Sequence, residues 1–125
     1  MGSEERPVRY LLRTLPLFAY HAVWRVTGLR RAGRALVRAL GSESESVRTI
    51  AGMMLVHAGK RSEPLLEEAL ERRENLPPVL TLLGDIDDRT VEQEIRILSQ
   101  DSDPTVARAA RDTLRVFDSR QATAR

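Results

Sequence analysis

Leucines recur in this chain at intervals of about thirty residues, each at the end of an apolar stretch that a turn-prone polar segment follows. Leu40, Leu70 and Leu98 are separated by 30 and 28 residues, and Leu55 and Leu83 by 28. A fixed period of this size is the signature of stacked repeats, because one unit cannot bury its apolar face without a neighbour. The period therefore predicts an array of stacked supersecondary units.

The composition favours helices as the building blocks of that array. The 125 residues suffice for one domain, and they are 42% hydrophobic but only 4% aromatic. Small and aliphatic side chains with few rings suit stacked helices better than a β-sandwich. No run of alternating β-branched residues is bounded by hairpin turns. We therefore predict an all-α fold.

Capping residues mark where several of the predicted helices begin and end. Asp103 at an N-cap, followed by Pro104 at the first helical position, is a favourable helix start. Ser44 occupies the corresponding place before an earlier apolar stripe, and Gly59 ends that helix as a C-cap. Asn75 is suited to cap a short helix in the middle of the chain. These positions predict helices joined by short connections.

The segments around these caps resemble a known family. The stretch Leu98-Ser-Gln-Asp-Ser-Asp-Pro-Thr-Val106, followed by Ala109, Ala110 and Leu114, resembles a HEAT repeat of the short, phycobilisome-lyase-like type. Leu83-Gly-Asp-Ile-Asp-Asp88 is similar to that family's linker, and Leu40-Gly-Ser-Glu-Ser-Glu-Ser-Val-Arg48 repeats the theme. The resemblance covers about residues 33–117. It implies a right-handed α-solenoid of about three HEAT-like helix pairs.

The chain departs from the family pattern in two places. Pro77 and Pro78 stand where the family usually shows a Val-Arg pair, so the middle inner helix should be short. Arg48 matches the arginine of that pair, but Ala107 does not, so an arginine ladder along the array would be incomplete. We assign residues 31–117 to the repeat domain and 118–125 to a flexible tail.

Residues 1–30 differ from the repeats in charge and pattern. Residues 1–40 carry a balance of +6, whereas the remaining residues carry −4. Residues 8–28 predict an amphipathic helix whose wide apolar face would either cap the first repeat, which we favour, or lie on a membrane surface. The side chains predicted to contact a membrane or another anionic partner are Arg9, Arg13, Tyr20, Trp24 and Arg25.

Charged residues argue against other roles for this amino-terminal segment. Arg13, His21 and Arg25 interrupt its apolar residues, which argues against a transmembrane span. Glutamates near the start argue against a secretory signal. We therefore expect a cytoplasmic protein, with the inner face of the membrane as an alternative location. Lys60 is the only lysine among 20 basic residues, which fits a GC-rich bacterial genome.

The sequence contains no pattern that predicts an enzyme, a cofactor or a metal centre. His21 and His57 are the only histidines, there is no cysteine, and further ligands are not evident. Glu63, Glu67, Glu68 and Glu71 fall along one predicted helix face, where we expect solvated side chains and a Glu68–Arg72 pair. The usual nucleophile, phosphate-loop and zinc-protease motifs are absent.

Arginines on the predicted inner helices mark the candidate interaction surface. In helical arrays the inner helices line the concave face, where partners tend to bind. The candidate partner-binding residues are Arg48, His57, Arg108, Arg111 and Arg115. A solvated and salt-paired surface is the favoured alternative for the three arginines of the last helix, because isolated exposed charges seldom mark a site.

The predicted function is a non-catalytic adaptor or scaffold that presents its concave surface to a protein partner. So short an array has two exposed ends, which also allows homo-oligomerisation or incorporation into a larger complex. The alternatives are a peripheral membrane protein anchored by residues 8–28 and, less favoured, a HEAT-like nucleic-acid-binding module. A pigment lyase is suggested by the repeat subtype alone, and no catalytic constellation supports it.

Overall fold

The computed structural model describes residues 30–124, and the regular secondary structure in this part of the chain is all helical, without a β-strand. Two short 3-10 turns, Gly59–Ser62 and Arg89–Val91, lead into two of the helices. The predicted all-α class is confirmed. The α-helices are α1 (Arg30–Ala39), α2 (Glu45–Ala58), α3 (Glu63–Glu71), α4 (Leu76–Asp85), α5 (Glu92–Leu98) and α6 (Pro104–Ala124).

The predicted amphipathic helix at residues 8–28 lies outside the described residues. Its candidate membrane or partner contacts, which lie there too, therefore stay predictions. They are Arg9, Arg13, Tyr20, Trp24 and Arg25.

The helices pack as consecutive pairs. Within the pairs, α1 packs on α2, α3 on α4 and α5 on α6. Successive pairs meet through α1 and α3, through α2 and α4, and through α4 and α6. Of these contacts between pairs, the one between α4 and α6 is the most extensive and the one between α2 and α4 is the smallest. Each pair thus buries its apolar face against a neighbour, as the sequence period requires.

One hydrophobic core runs through the described helices, and the recurring leucines all belong to it. Leu40, Leu70, Leu98, Leu55 and Leu83 are buried. Every helix also contributes at least one large side chain without solvent exposure. These side chains are Leu36, Leu55, Leu66, Leu80, Leu83, Ile95 and Phe117. The leucine period therefore identified core positions correctly.

Three helix boundaries follow the predicted caps. The Ser44 side chain accepts a hydrogen bond from the amide of Val47 at 3.3 Å at the start of α2. Gly59 ends α2 with a φ of 59°, which glycine adopts without a Cβ clash. Asp103 accepts from the amide of Thr105 at 2.9 Å, in the first turn of α6. These caps satisfy amides and carbonyls that a helix end leaves unpaired.

The middle of the chain departs from expectation at Asn75. Asn75 precedes α4 as predicted, but its side chain does not cap the helix, and its φ is 48°. Its Nδ2 instead donates to the carbonyl of Val37 at 3.2 Å, which ties the start of α4 to α1. Pro77 lies in the first turn, where a missing amide costs little. With ten residues α4 is the shortest of α2, α4 and α6, as the prolines predicted.

Residues 118–124, which the sequence predicted to be a flexible tail, continue α6 to Ala124. Arg120 ties this extension to α4. Its guanidinium donates to the carbonyl oxygens of Gly84 at 2.7 Å and Asp85 at 3.1 Å. These carbonyls lie at the C-terminal end of α4, where helix ends leave acceptors unpaired and favour a cation. This tertiary contact, which a polar sequence does not reveal, connects the last turns of α6 to the end of α4.

Candidate functional site

A concave groove of about 610 Å³ lies between α2 and α4, and we call it the α2–α4 groove. Residues of both helices line it, together with one residue from the end of α1. The lining is mainly apolar, with a few polar side chains. The lining residues are Leu40, Arg48, Thr49, Gly52, Met53, Val56, His57, Pro78, Thr81, Leu82 and Asp85.

Two large apolar side chains of α2 are exposed in this groove. Met53 is 67% exposed and Val56 is 37% exposed. They are three residues apart, so they share one face of the helix. Single exposed apolar side chains are ordinary, but neighbouring ones in a concave surface are typical of binding sites. This pair therefore makes the groove the strongest candidate site in the described part of the chain.

Two of the predicted partner-binding residues, Arg48 and His57, line the groove. Arg48 lies in the first turn of α2, and its guanidinium donates to the carbonyls of Ser42 at 2.6 Å and Glu43 at 3.0 Å. These contacts position the arginine at the rim. Asp85, at the end of α4, adds a negative charge to the same lining. A ligand with an apolar surface and charged edges would match this arrangement.

The structure does not place the other three predicted residues in the groove lining. Arg108, Arg111 and Arg115 are exposed on α6. Arg111 donates to the carbonyl of Ser99 at 3.2 Å, and Arg115 forms an ion pair with Asp112 at 3.1 Å. Exposed pairs of this kind contribute little to stability or recognition. The five predicted residues therefore do not form one site.

Met53 and Val56 were not among the residues predicted from the sequence. A signal was present, because both lie off the apolar stripe of α2 that contains the buried Ala51 and Leu55. Apolar residues on the polar face of an amphipathic helix indicate a contact beyond the core. The partners on α4, such as Leu82, are about thirty residues away, and only the fold brings them to the same groove.

A second group of polar residues differs from its predicted setting. The pair of Glu68 and Arg72 exists as predicted, at 2.8 Å. Glu63 and Glu67, however, are only partly exposed and lie beside Asp88. Burial raises the pKa of the Glu67 carboxyl, and the neighbouring Asp88 carboxyl raises that pKa further. The predicted solvated face is therefore only partly exposed at Glu63, Glu67 and Glu68, and Glu67 lies against the connection after α4.

Glu63, Glu67 and Asp88 are the residues of the described chain that could hold a metal ion, because one carboxylate oxygen from each lies within 4.8 Å of the others. No such site was predicted. The sequence shows that the two glutamates are four residues apart. The approach of Asp88 to them depends on the tertiary fold.

None of the helices described between residues 30 and 124 has the length and apolar character that crossing a bilayer requires. Comparisons of the chain with protein-family models, with curated proteins and with solved structures find no match.

Proposed function

We propose that this chain is a non-catalytic interaction module that binds an amphipathic helix of a protein partner in the α2–α4 groove. The observation that carries the proposal is the exposure of Met53 and Val56 in a concave surface between two helices. The overall design we propose is a right-handed solenoid of three HEAT-like pairs, α1–α2, α3–α4 and α5–α6. The contacts between successive pairs support that design.

The shape and chemistry of the groove suit a helical ligand. A groove between two helices accepts the apolar face of a third helix, which places anchors at i, i+3, i+4 and i+7. The 14 residues of α2 span about 21 Å, so a ligand of three to four helical turns would match the length of its wall. Methionine at position 53 adapts its shape to different side chains. Arg48 and Asp85 would orient the partner through its charged residues.

The other predicted functions gain less support. Membrane anchoring by residues 8–28 stays a prediction, because those residues lie outside the described part. Binding of nucleic acid would rely on the arginines of α6, where Asp112 already pairs with Arg115. We therefore favour a protein partner, a cytoplasmic setting and a role as an adaptor or as a subunit of a larger assembly.

Site-specific photocrosslinking in the native cells tests the proposal. A benzophenone side chain replaces Met53 in one variant and Ile97 in the other. Ile97 is the matched control, because it is an equally exposed apolar residue, at 68%, on α5 outside the groove lining. We expect Met53 alone to yield one defined adduct, and mass spectrometry should place the crosslink in an amphipathic helix of another protein.

A synthetic peptide of that helix then gives a quantitative measurement. Met53→Asp should weaken peptide binding at least tenfold, or by about 1.4 kcal/mol, because a charge replaces an apolar contact. Ile97→Asp should leave the affinity unchanged. Equal adducts from both positions would contradict the proposal. A crosslink from Met53 to residues 8–28 of the same chain would also contradict it, since the groove would then hold this protein's own amino-terminal segment.

A further inference from the structure

Three carboxylates converge away from the α2–α4 groove, and we call them the acidic cluster. Glu63 and Glu67 are one helical turn apart on α3, and Asp88 follows α4. One oxygen from each lies within 4.8 Å of the other two. Like charges at this separation repel one another, and the repulsion is poorly screened because Asp88 is only 2% exposed. A positive charge among the three groups would relieve this repulsion.

One carboxylate oxygen of Asp88 receives no hydrogen bond from the described part of the protein. Its Oδ1 accepts from the amide of Thr90 at 3.2 Å and from the Thr90 hydroxyl at 2.6 Å. Its Oδ2 is buried and has no hydrogen-bond partner. Buried carboxylate oxygens are normally paired with donors or with a metal ion. The unpartnered Oδ2 thus indicates a ligand site independently of the clustering of acidic residues.

Thr90 does not supply enough donors for the acidic cluster. Its hydroxyl lies 2.9 Å from Oε1 of Glu67 as well as 2.6 Å from Oδ1 of Asp88. A hydroxyl carries one hydrogen, so it can donate fully to only one of these two carboxylates. The other carboxylate has an acceptor oxygen available to a cation. The hydroxyl also orients both side chains, as outer-shell partners of metal ligands do.

We propose that Glu63, Glu67 and Asp88 form a binding site for a hard divalent cation, and that calcium is the preferred ion. Carboxylate oxygens are the ligands that calcium, magnesium and manganese share. Three converging carboxylates favour calcium, which takes six to eight oxygens in flexible geometry, whereas magnesium usually binds through one or two carboxylates. Water would complete the coordination. A bound ion would tie α3 to the connection between α4 and α5.

Calorimetric titration of the chelator-treated full chain with calcium chloride tests the site. We expect one ion per chain, a dissociation constant of about 10⁻⁵ to 10⁻³ M, and a higher melting temperature in calcium. Magnesium should bind more weakly than calcium. Tighter binding of magnesium would overturn the choice of calcium, and the absence of saturable binding of calcium, magnesium or manganese would overturn the site itself.

Three variants locate the ion. Asp88→Asn keeps an oxygen for the Thr90 amide, and Glu67→Gln keeps an acceptor for the Thr90 hydroxyl, so both should fold. Each should weaken calcium binding at least about tenfold, because loss of an outer-shell partner alone typically costs 10- to 100-fold. Glu71→Gln is the matched control on the same helix, with the same change of charge, and should bind calcium like the wild type.

The alternative to a cation is a proton shared between Glu67 and Asp88. In that case Glu67→Gln would raise the melting temperature without calcium, and calcium would not change it in either protein. That result would overturn the proposal. Equal calcium affinity of Glu67→Gln and the wild type would also overturn it. Circular dichroism of each variant checks the fold, and Glu67→Gln decides the question if Asp88→Asn does not fold.

Discussion

The contact of α4 with α6 is closed, whereas the contact of α4 with α2 leaves the α2–α4 groove. At the closed contact, Phe117 has no solvent exposure, and the Thr113 hydroxyl donates to the carbonyl of Leu80 at 2.9 Å. At the open contact, Met53 remains 67% exposed. The same helix therefore packs against one neighbour as a core and presents a binding surface beside the other. Stability and recognition are separated on two faces of α4.

Two glycines report how closely the helices approach at these contacts. A Cβ on Gly84 of α4 would lie 3.3 Å from Cγ2 of Thr113 on α6. A Cβ on Gly52 of α2 would lie 3.8 Å from Cδ2 of Leu82 on α4, which is an ordinary van der Waals distance. The backbone of α4 is thus crowded by α6, whereas the backbone of α2 has room beside α4.

Of the substitutions at the two contacts, Phe117→Ala should cause the largest loss of unfolding free energy. The buried ring also packs under the guanidinium of Arg89, whose Cζ lies 5.4 Å from the ring centroid. We expect the free energy of unfolding in urea to fall by about 3–5 kcal/mol, because the substitution leaves a cavity in the closed contact. Met53→Ala should change it by less than about 0.5 kcal/mol. Equal losses of unfolding free energy in the two variants would mean that both contacts belong to the hydrophobic core.

The same substitution at the two glycines should have opposite effects. Gly52→Ala should stabilise the chain by about 0.5–1 kcal/mol, because alanine favours the helix and the open contact accommodates its Cβ. Gly84→Ala should destabilise it by about 1 kcal/mol, because Thr113 is buried and its hydroxyl, 2.9 Å from the carbonyls of both Leu80 and Ala109, is held by a hydrogen bond to one of them. Thermal and urea unfolding of both variants measure the sign of the change in the free energy of unfolding. Stabilisation by Gly84→Ala would contradict a crowded α4–α6 contact.

Core positions and helix starts were more predictable from the sequence than tertiary contacts between distant side chains and backbone. The recurring leucines identified core positions because burial follows the helical period, and Ser44 and Asp103 identified helix starts because capping is local. The continuation of α6 was not predictable in this way. Its last turns are connected to α4 by Arg120, which donates to carbonyls 35 and 36 residues earlier in the chain. Periodicity and caps contain no information about such a contact.

The groove and the acidic cluster were missed for a related reason. Arginines and a histidine were predicted as binding residues because of their chemistry. Two of them, Arg48 and His57, line the groove. The side chains that distinguish this surface are apolar residues on the exposed face of α2, above all Met53. In the sequence, Asp88 was noted only as the end of the stretch that is similar to the HEAT-family linker. It caps the 3-10 turn, and its position beside Glu67 arises from the packing of α3 on α4.

The smallest predicted effect concerns an ion pair on the closed side, which joins the turn before α4 to the turn before α6. Arg73 donates to both carboxylate oxygens of Asp101, at 3.0 and 3.1 Å. The amide of Asp103 also donates to Asp101, and this hydrogen bond, followed by the contact with Arg73, holds the pKa of Asp101 below its usual value of 3.8. Hydrogen bonds to the charged form and a nearby cation both stabilise the carboxylate in the folded state.

Asp101→Asn should therefore lower the free energy of unfolding slightly at neutral pH, and less than either glycine substitution. Because the folded-state pKa of Asp101 lies below the unfolded value, its contribution is complete above 3.8 and disappears as the pH falls through the folded-state pKa. Urea unfolding of both proteins should thus converge in acid. A difference that grows towards low pH would contradict this reading of the pKa. A loss at neutral pH as large as that of Phe117→Ala would mean that surface charges, and not the buried contact between α4 and α6, hold the closed side together.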